Sequence, residues 1–224
     1  AMVLMYLGES QKANACLVPL LNDADHRKRY VAVDAFRVIT SNAKDEAPFD
    51  ANLIITAMRD EVHIVRREAV KVAAYLKGDE VYEAVAARFA DEEVRVRRTA
   101  SESLKQAWPA SRSVVVRALS EMDDVSASFA LDAIPPGDVE VLNPLRSYIQ
   151  REVASIRYLR MLADGLPHHG KTTILLINTL KHRESLCEER LIRAVGLFGN
   201  PRALDLVRKS LNAGDASTRA AALE

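Results

Sequence analysis

The chain has 224 residues, of which 49% are hydrophobic and 5% aromatic, with 31 basic side chains against 31 acidic ones. A formal charge of zero argues against broad attachment to nucleic acid or to anionic lipid, although a local basic face stays open. The longest apolar runs, of the MVLMYL and TILLI kind, fall far short of the ~20 residues a membrane span requires, which excludes direct insertion, and no signal peptide is read.

In chain order, Met2 to Leu7 followed by Gly8 read as the end of a helix whose beginning is missing, with Ala1 a cloning remnant. Helices are predicted near 10–21 and 25–40, with Ser10 as a good N-cap. The stretch 41–49, SNAKDEAPF, reads as an inserted loop. Helices follow near 51–58, 62–77, 79–90 and 92–108. The helix DDVSASFALDAI is stopped after Ile134 by Pro135-Pro136-Gly137, because proline cannot continue the hydrogen-bond ladder. A change of curvature is expected near 123–138. The region 138–166 is predicted as two helices either side of Gln150, and 168–199 as a further pair. Asn200-Pro201 opens a last helix to Leu211, and a final one has barely begun when the chain ends at Glu224.

The predicted elements repeat. Arg66 with Ala69 recurs as Arg97 with Ala100, 31 residues on, each inside an acidic turn, an arginine pair and a leucine-bearing helix. The register continues through Arg29, Ala127, Arg157, Arg190 and Arg219, with spacings of 37, 31, 30, 30, 33 and 29. A period near 30 residues built from two helices is the signature of a solenoid. This pattern resembles the HEAT family, particularly the short bacterial, phycobilisome-lyase-like HEAT repeats, over essentially the whole chain. The fold expected is an all-α superhelix, a single HEAT-like solenoid over 1–224 of about six repeats with partial helices at both ends. Because terminal capping units are missing, it is expected to be a fragment of a larger protein.

Asp60, Asp91, Asp123 and Asp215 precede second helices, where a carboxylate satisfies free amides and complements the helix dipole. The resemblance implies that Arg29, Arg66, Arg97 and Arg219 form an inter-repeat ladder. Gly165 to Thr172 spells the phosphate-loop pattern GxxxxGK[ST], but VASIRYLRMLAD before it has helical periodicity where that loop needs a strand. His168 and His169 point apart on a helix, and His182 with Cys187 misses the i, i+4 spacing of a helical ligand pair. Cys16 and Cys187 are expected to be free, buried thiols of a reducing cytosol. No catalytic, cofactor-binding or metal-ligating set is assigned, and no enzyme activity is expected.

One position after each repeat arginine, and again one turn later, come Tyr30 and Asp34, Arg67 and Lys71, then Arg98 and Glu102, with Arg37 and Lys105 extending the stripe. The resemblance implies that second helices line a concave face, where five cations would stand against two carboxylates. These residues are the candidate partner-binding site. The expected function is a cytoplasmic, non-catalytic scaffold or regulatory module for another protein, through an acidic or phosphorylated segment. Three alternatives stay open: a phycobilisome-lyase-like enzyme-associated subunit, a binder of nucleic-acid backbone, and a soluble arm of a larger membrane or signalling protein.

Overall fold

The computed structural model describes residues 10–42 and 49–198. The expectations for the N-terminal partial helix, most of the 41–49 loop, the 200–211 helix, Asp215 and Arg219 lie outside those residues. Among the described residues the protein is all-α, with ten α-helices and no strand. It divides into two compact units between Ile134 and Pro135, at the proline pair.

In the first unit the helices come as pairs: α1 (Ser10–Leu21) with α2 (His26–Asn42), α3 (Ala51–Ala57) with α4 (His63–Ala73), α5 (Asp79–Ala86) with α6 (Val94–Gln106), and α7 (Arg112–Glu121) with α8 (Asp124–Ala133). The second helices α2, α4, α6 and α8 stack in sequence as one layer, and the first helices form another against them. Small and apolar residues at helical spacing make that stacking close: Val65, Ala69 and Val72 on α4, and Val96, Ala100 and Leu104 on α6, are all buried. Two serines join neighbouring second helices directly. The Ser103 Oγ donates to the carbonyl of Val70 at 3.0 Å, and the Ser101 Oγ donates to that of Phe129 at 2.7 Å. Gly78, at φ +124°, turns the chain from α4 into α5 in a region side chains rarely enter.

Arginine–aspartate forks tie successive pairs together along the turns. Arg29 donates through Nη1 to the carbonyls of Asp23 and Ala24 in its own turn. Its Nε and Nη2 then grip the Asp60 carboxylate of the next turn at 2.7 and 3.0 Å. Arg66 repeats the arrangement one pair later, holding the carbonyls of Asp60 and Glu61 and gripping Asp91 at 2.8 Å through each arm. The same carboxylates accept backbone N–H groups two residues on, Val62 at 2.8 Å and Glu93 at 3.0 Å. Arg97 holds the carbonyls of Asp91 and Glu92 likewise, but meets no carboxylate among the described residues; its guanidinium lies over the Phe129 ring, 5.1 Å from the centroid.

The second unit departs from the expected pairs. A short 3-10 turn (Val139–Val141) leads into α9 (Leu142–Asp164), which runs unbroken through Gln150, and α10 (Lys171–Gly196) is likewise one helix. Neither has an interior glycine, and Pro144 sits in the first turn of α9, where proline is tolerated, so nothing breaks the hydrogen-bond ladder. The helices form an antiparallel hairpin, with Ile156 packed against Cys187 and Leu191. A buried ion pair, Arg190 to both oxygens of Glu152 at 3.0 Å, stands in its apolar seam. Burial beside Glu152 pushes the Tyr148 phenol well above its ordinary range. Both cysteines are free; Cys187 is buried, but Cys16 is exposed because it lies off the apolar stripe of α1 set by Ala13 and Leu17.

Two measurements test the ladder. Arg66→Met leaves the buried Asp91 carboxylate without its two-pronged partner, with Arg88 Nη1 at 3.7 Å as its remaining cation, and is expected to cost about 3 kcal/mol in urea unfolding. Arg97→Met strands no carboxylate and is expected to cost about 1 kcal/mol. For pH, burial raises the Asp60 and Asp91 pKa values, but the arginine forks and backbone N–H groups outweigh it and hold both below the ordinary 3.8. Groups depressed in the folded state contribute stability above the unfolded pKa and lose it as pH falls through the folded one. The urea midpoint is therefore expected to drop on acidification below about pH 4, and to drop less in Asp60→Asn/Asp91→Asn.

Candidate partner-binding face

The stripe residues occupy equivalent positions on three stacked helices. Tyr30, Arg67 and Arg98 share one register position on α2, α4 and α6, and Asp34, Lys71 and Glu102 share the next, one turn on. Arg37 and Lys105 extend the set on α2 and α6. A shallow cleft of about 220 Å³ crosses the three helices and brings together Arg37, Lys71 and Glu102. Tyr75, Thr99 and Gln106 also line it, whereas Tyr30, Asp34, Arg67, Arg98 and Lys105 lie outside.

The electrostatics differ from the five cations and two carboxylates of the sequence. Glu68, 1% exposed, is a third carboxylate set between the helices. Its Oε1 accepts from the Arg37 Nε and its Oε2 from the Lys71 Nζ, both at 2.8 Å. Arg37 also donates to Asp34 through Nη2 at 2.6 Å. The hydrogen bond that Arg37 donates to Asp34, set against partial burial and reinforced by Glu68, raises the Arg37 pKa, so this guanidinium stays charged. Arg37 and Lys71 are thus neutralised locally. Arg67, Arg98 and Lys105 form no ion pair with any described residue, and the Arg67 Nε is shut from water without an acceptor.

Glu68 and Tyr75 were missed for different reasons. Tyr75 lies four residues after Lys71, so extending the stripe by one helical turn reaches it. Glu68 follows Arg67 directly and belongs to the adjoining face; only helix stacking brings its carboxylate beneath the cations.

Other candidates fall apart geometrically. Gly165 to Thr172 joins two helices, with Gly170 at φ +89° before α10, so the strand that a phosphate loop requires is replaced by α9. His168, His169 and His182 are exposed, while Cys187 points into the hairpin, where it accepts from the Arg190 Nη2 at 3.2 Å. Among the described residues no group of three or more His, Cys, Asp or Glu is placed to hold a metal ion. No described helix is long and apolar enough to cross a membrane.

No family model matches the chain, and no curated protein does. Among solved structures it is similar to an engineered protein from the Northeast Structural Genomics Consortium, at 14% identity and a TM-score of 0.40, covering 92% of this chain and 93% of that one.

Glu68→Gln keeps the shape but removes the charge shared by Arg37 and Lys71. It is expected to lower stability by about 1–2 kcal/mol in urea unfolding, since both cations are partly exposed and regain water.

Proposed function

We propose that this protein is a non-catalytic scaffold that holds an acidic or phosphorylated segment of another protein against the α2–α4–α6 face. The observation that carries the reading is the set of three cations, Arg67, Arg98 and Lys105, without ion pairs among the described residues beside an open cleft. Stacked helix pairs offer extended surfaces rather than enclosed cavities, which suits a polypeptide better than a small substrate. Arginines can meet carboxylates or phosphates with two parallel hydrogen bonds, and half-buried Tyr30 supplies an amphipathic neighbour of the kind enriched at interface centres. Membership of the HEAT class is part of the proposal, supported by the paired helices and by forks that recur from turn to turn. A cytoplasmic setting belongs to it too, supported by two cysteines that remain thiols.

The test uses a fluorescent acidic peptide, its phosphoserine counterpart and a single-stranded DNA of matching length. Arg67→Glu/Arg98→Glu is expected to leave the helical circular dichroism unchanged and to weaken peptide binding at least ~10-fold, about 1.4 kcal/mol. Added salt should slow association, as for other electrostatically steered encounters. Peptide binding that survives the double reversal, or DNA binding as tight as that of the peptide, overturns the reading.

A further inference from the structure

We propose that Arg97 is a vacant carboxylate clamp, which accepts an adjacent Asp-Glu pair presented by a partner polypeptide. The molecule contains two occupied copies of the same site. Arg29 grips Asp60 through Nε and Nη2 and reaches Glu61 with Nη2 at 3.2 Å. Arg66 grips Asp91 in the same way and reaches Glu92 at 3.1 Å. In both copies the acceptor is the dipeptide Asp-Glu.

Arg97 is held as its two counterparts are, without the acceptor. Its Nη1 donates to the carbonyl of Asp91 at 2.6 Å and to that of Glu92 at 3.1 Å, and Phe129 covers one face of the guanidinium. The Nε–H is screened from water and unpaired. A screened donor without an acceptor costs free energy, which an incoming carboxylate recovers once it displaces the atoms that cover the Nε, while the Nη1 bonds to the two carbonyls hold the guanidinium in place. The fork therefore needs little further ordering to bind.

The chain's own candidate acceptor is engaged elsewhere. Asp123, the counterpart of Asp60 and Asp91, receives the Ser126 hydroxyl at 2.7 Å and the N–H groups of Val125 and Ser126. The Ser126 hydrogen bonds, opposed by burial, hold its pKa below the ordinary value. His63 and Val94 occupy the serine position in the two earlier turns and supply no hydroxyl, so Asp60 and Asp91 stay available. Ser126 thus captures the acid that would otherwise close the third clamp. This site lies at the turn edge of α6, outside the α2–α4–α6 cleft, and does not depend on the reading of that face.

The test titrates the whole chain with a short peptide carrying a central Asp-Glu between glycines and serines, with an Asn-Gln peptide as control and inorganic phosphate as competitor. The expected result is a saturable shift of the Arg97 Nε–H resonance with the Asp-Glu peptide alone. Arg97→Lys should weaken that peptide at least ~10-fold, because lysine keeps the charge but loses the two-pronged fork. Arg98→Lys should change it by less than ~3-fold, as for a rim charge. Unchanged binding in Arg97→Lys, equal binding of the Asn-Gln peptide, or full displacement by equimolar phosphate overturns the proposal. If circular dichroism shows that Arg97→Lys is unfolded, the wild-type resonance decides: a shift with Asp-Glu alone supports the clamp, and no shift overturns it.

Discussion

The first unit depends on a guanidinium that serves two turns at once. Arg66 is 6% exposed and the Asp91 side chain 2%, so neither charge keeps its water. Taking two ions out of water is costly, and the pair is tolerable because its geometry is two-pronged and its remaining valences are filled. One arm holds the carbonyls of its own turn, two hold the carboxylate of the next, and the carboxylate in turn receives a backbone N–H. The net stabilisation from such a pair is modest. What it supplies is position: a slip of one helix by a single residue would strand a buried charge. Alanine, valine and leucine at the helix contacts tolerate small shifts and could not enforce that alone.

The same logic reshapes the face above the ladder. Counting charges on a helical stripe gives an excess of cations, but Glu68, a carboxylate from the adjoining face, pairs with two of them from below and together with Asp34 balances their charge. Arg67, Arg98 and Lys105 are not among its partners, so the face is basic at those three and balanced within the cleft itself. Position in three dimensions, rather than composition, decides which of the five cations can meet an outside anion.

Much of the first unit was legible because the ladder writes itself into the chain. Arg29, Arg66 and Arg97, with Asp60, Asp91 and Asp123, repeat at fixed offsets, and helices predicted near 51–58 and 62–77 form as Ala51–Ala57 and His63–Ala73. What stayed hidden was which acid meets which arginine, since Ser126 diverts Asp123 through one hydroxyl that no periodicity marks. The second unit was read less well. A period carried over from the first half demanded a break at Gln150, whereas LRSYIQREVASIRYL contains no residue that imposes one. Glu152, a charge where the register expects an apolar side chain, becomes intelligible only once Arg190 is opposite it.

Because each joint is made from the arginine of one turn and the acid of the next, the two halves of every joint are interchangeable between copies. Removing residues 61–91, 31 residues in all, would set Glu92 directly after Asp60, where Glu61 stood, and bring Arg97 to the place of Arg66. Arg29 would meet the same Asp-Glu chemistry as before. A cut longer or shorter by one residue would not preserve it. The array can therefore be lengthened or shortened by gene duplication or loss without inventing a new arginine–acid joint, provided the change comes in whole periods.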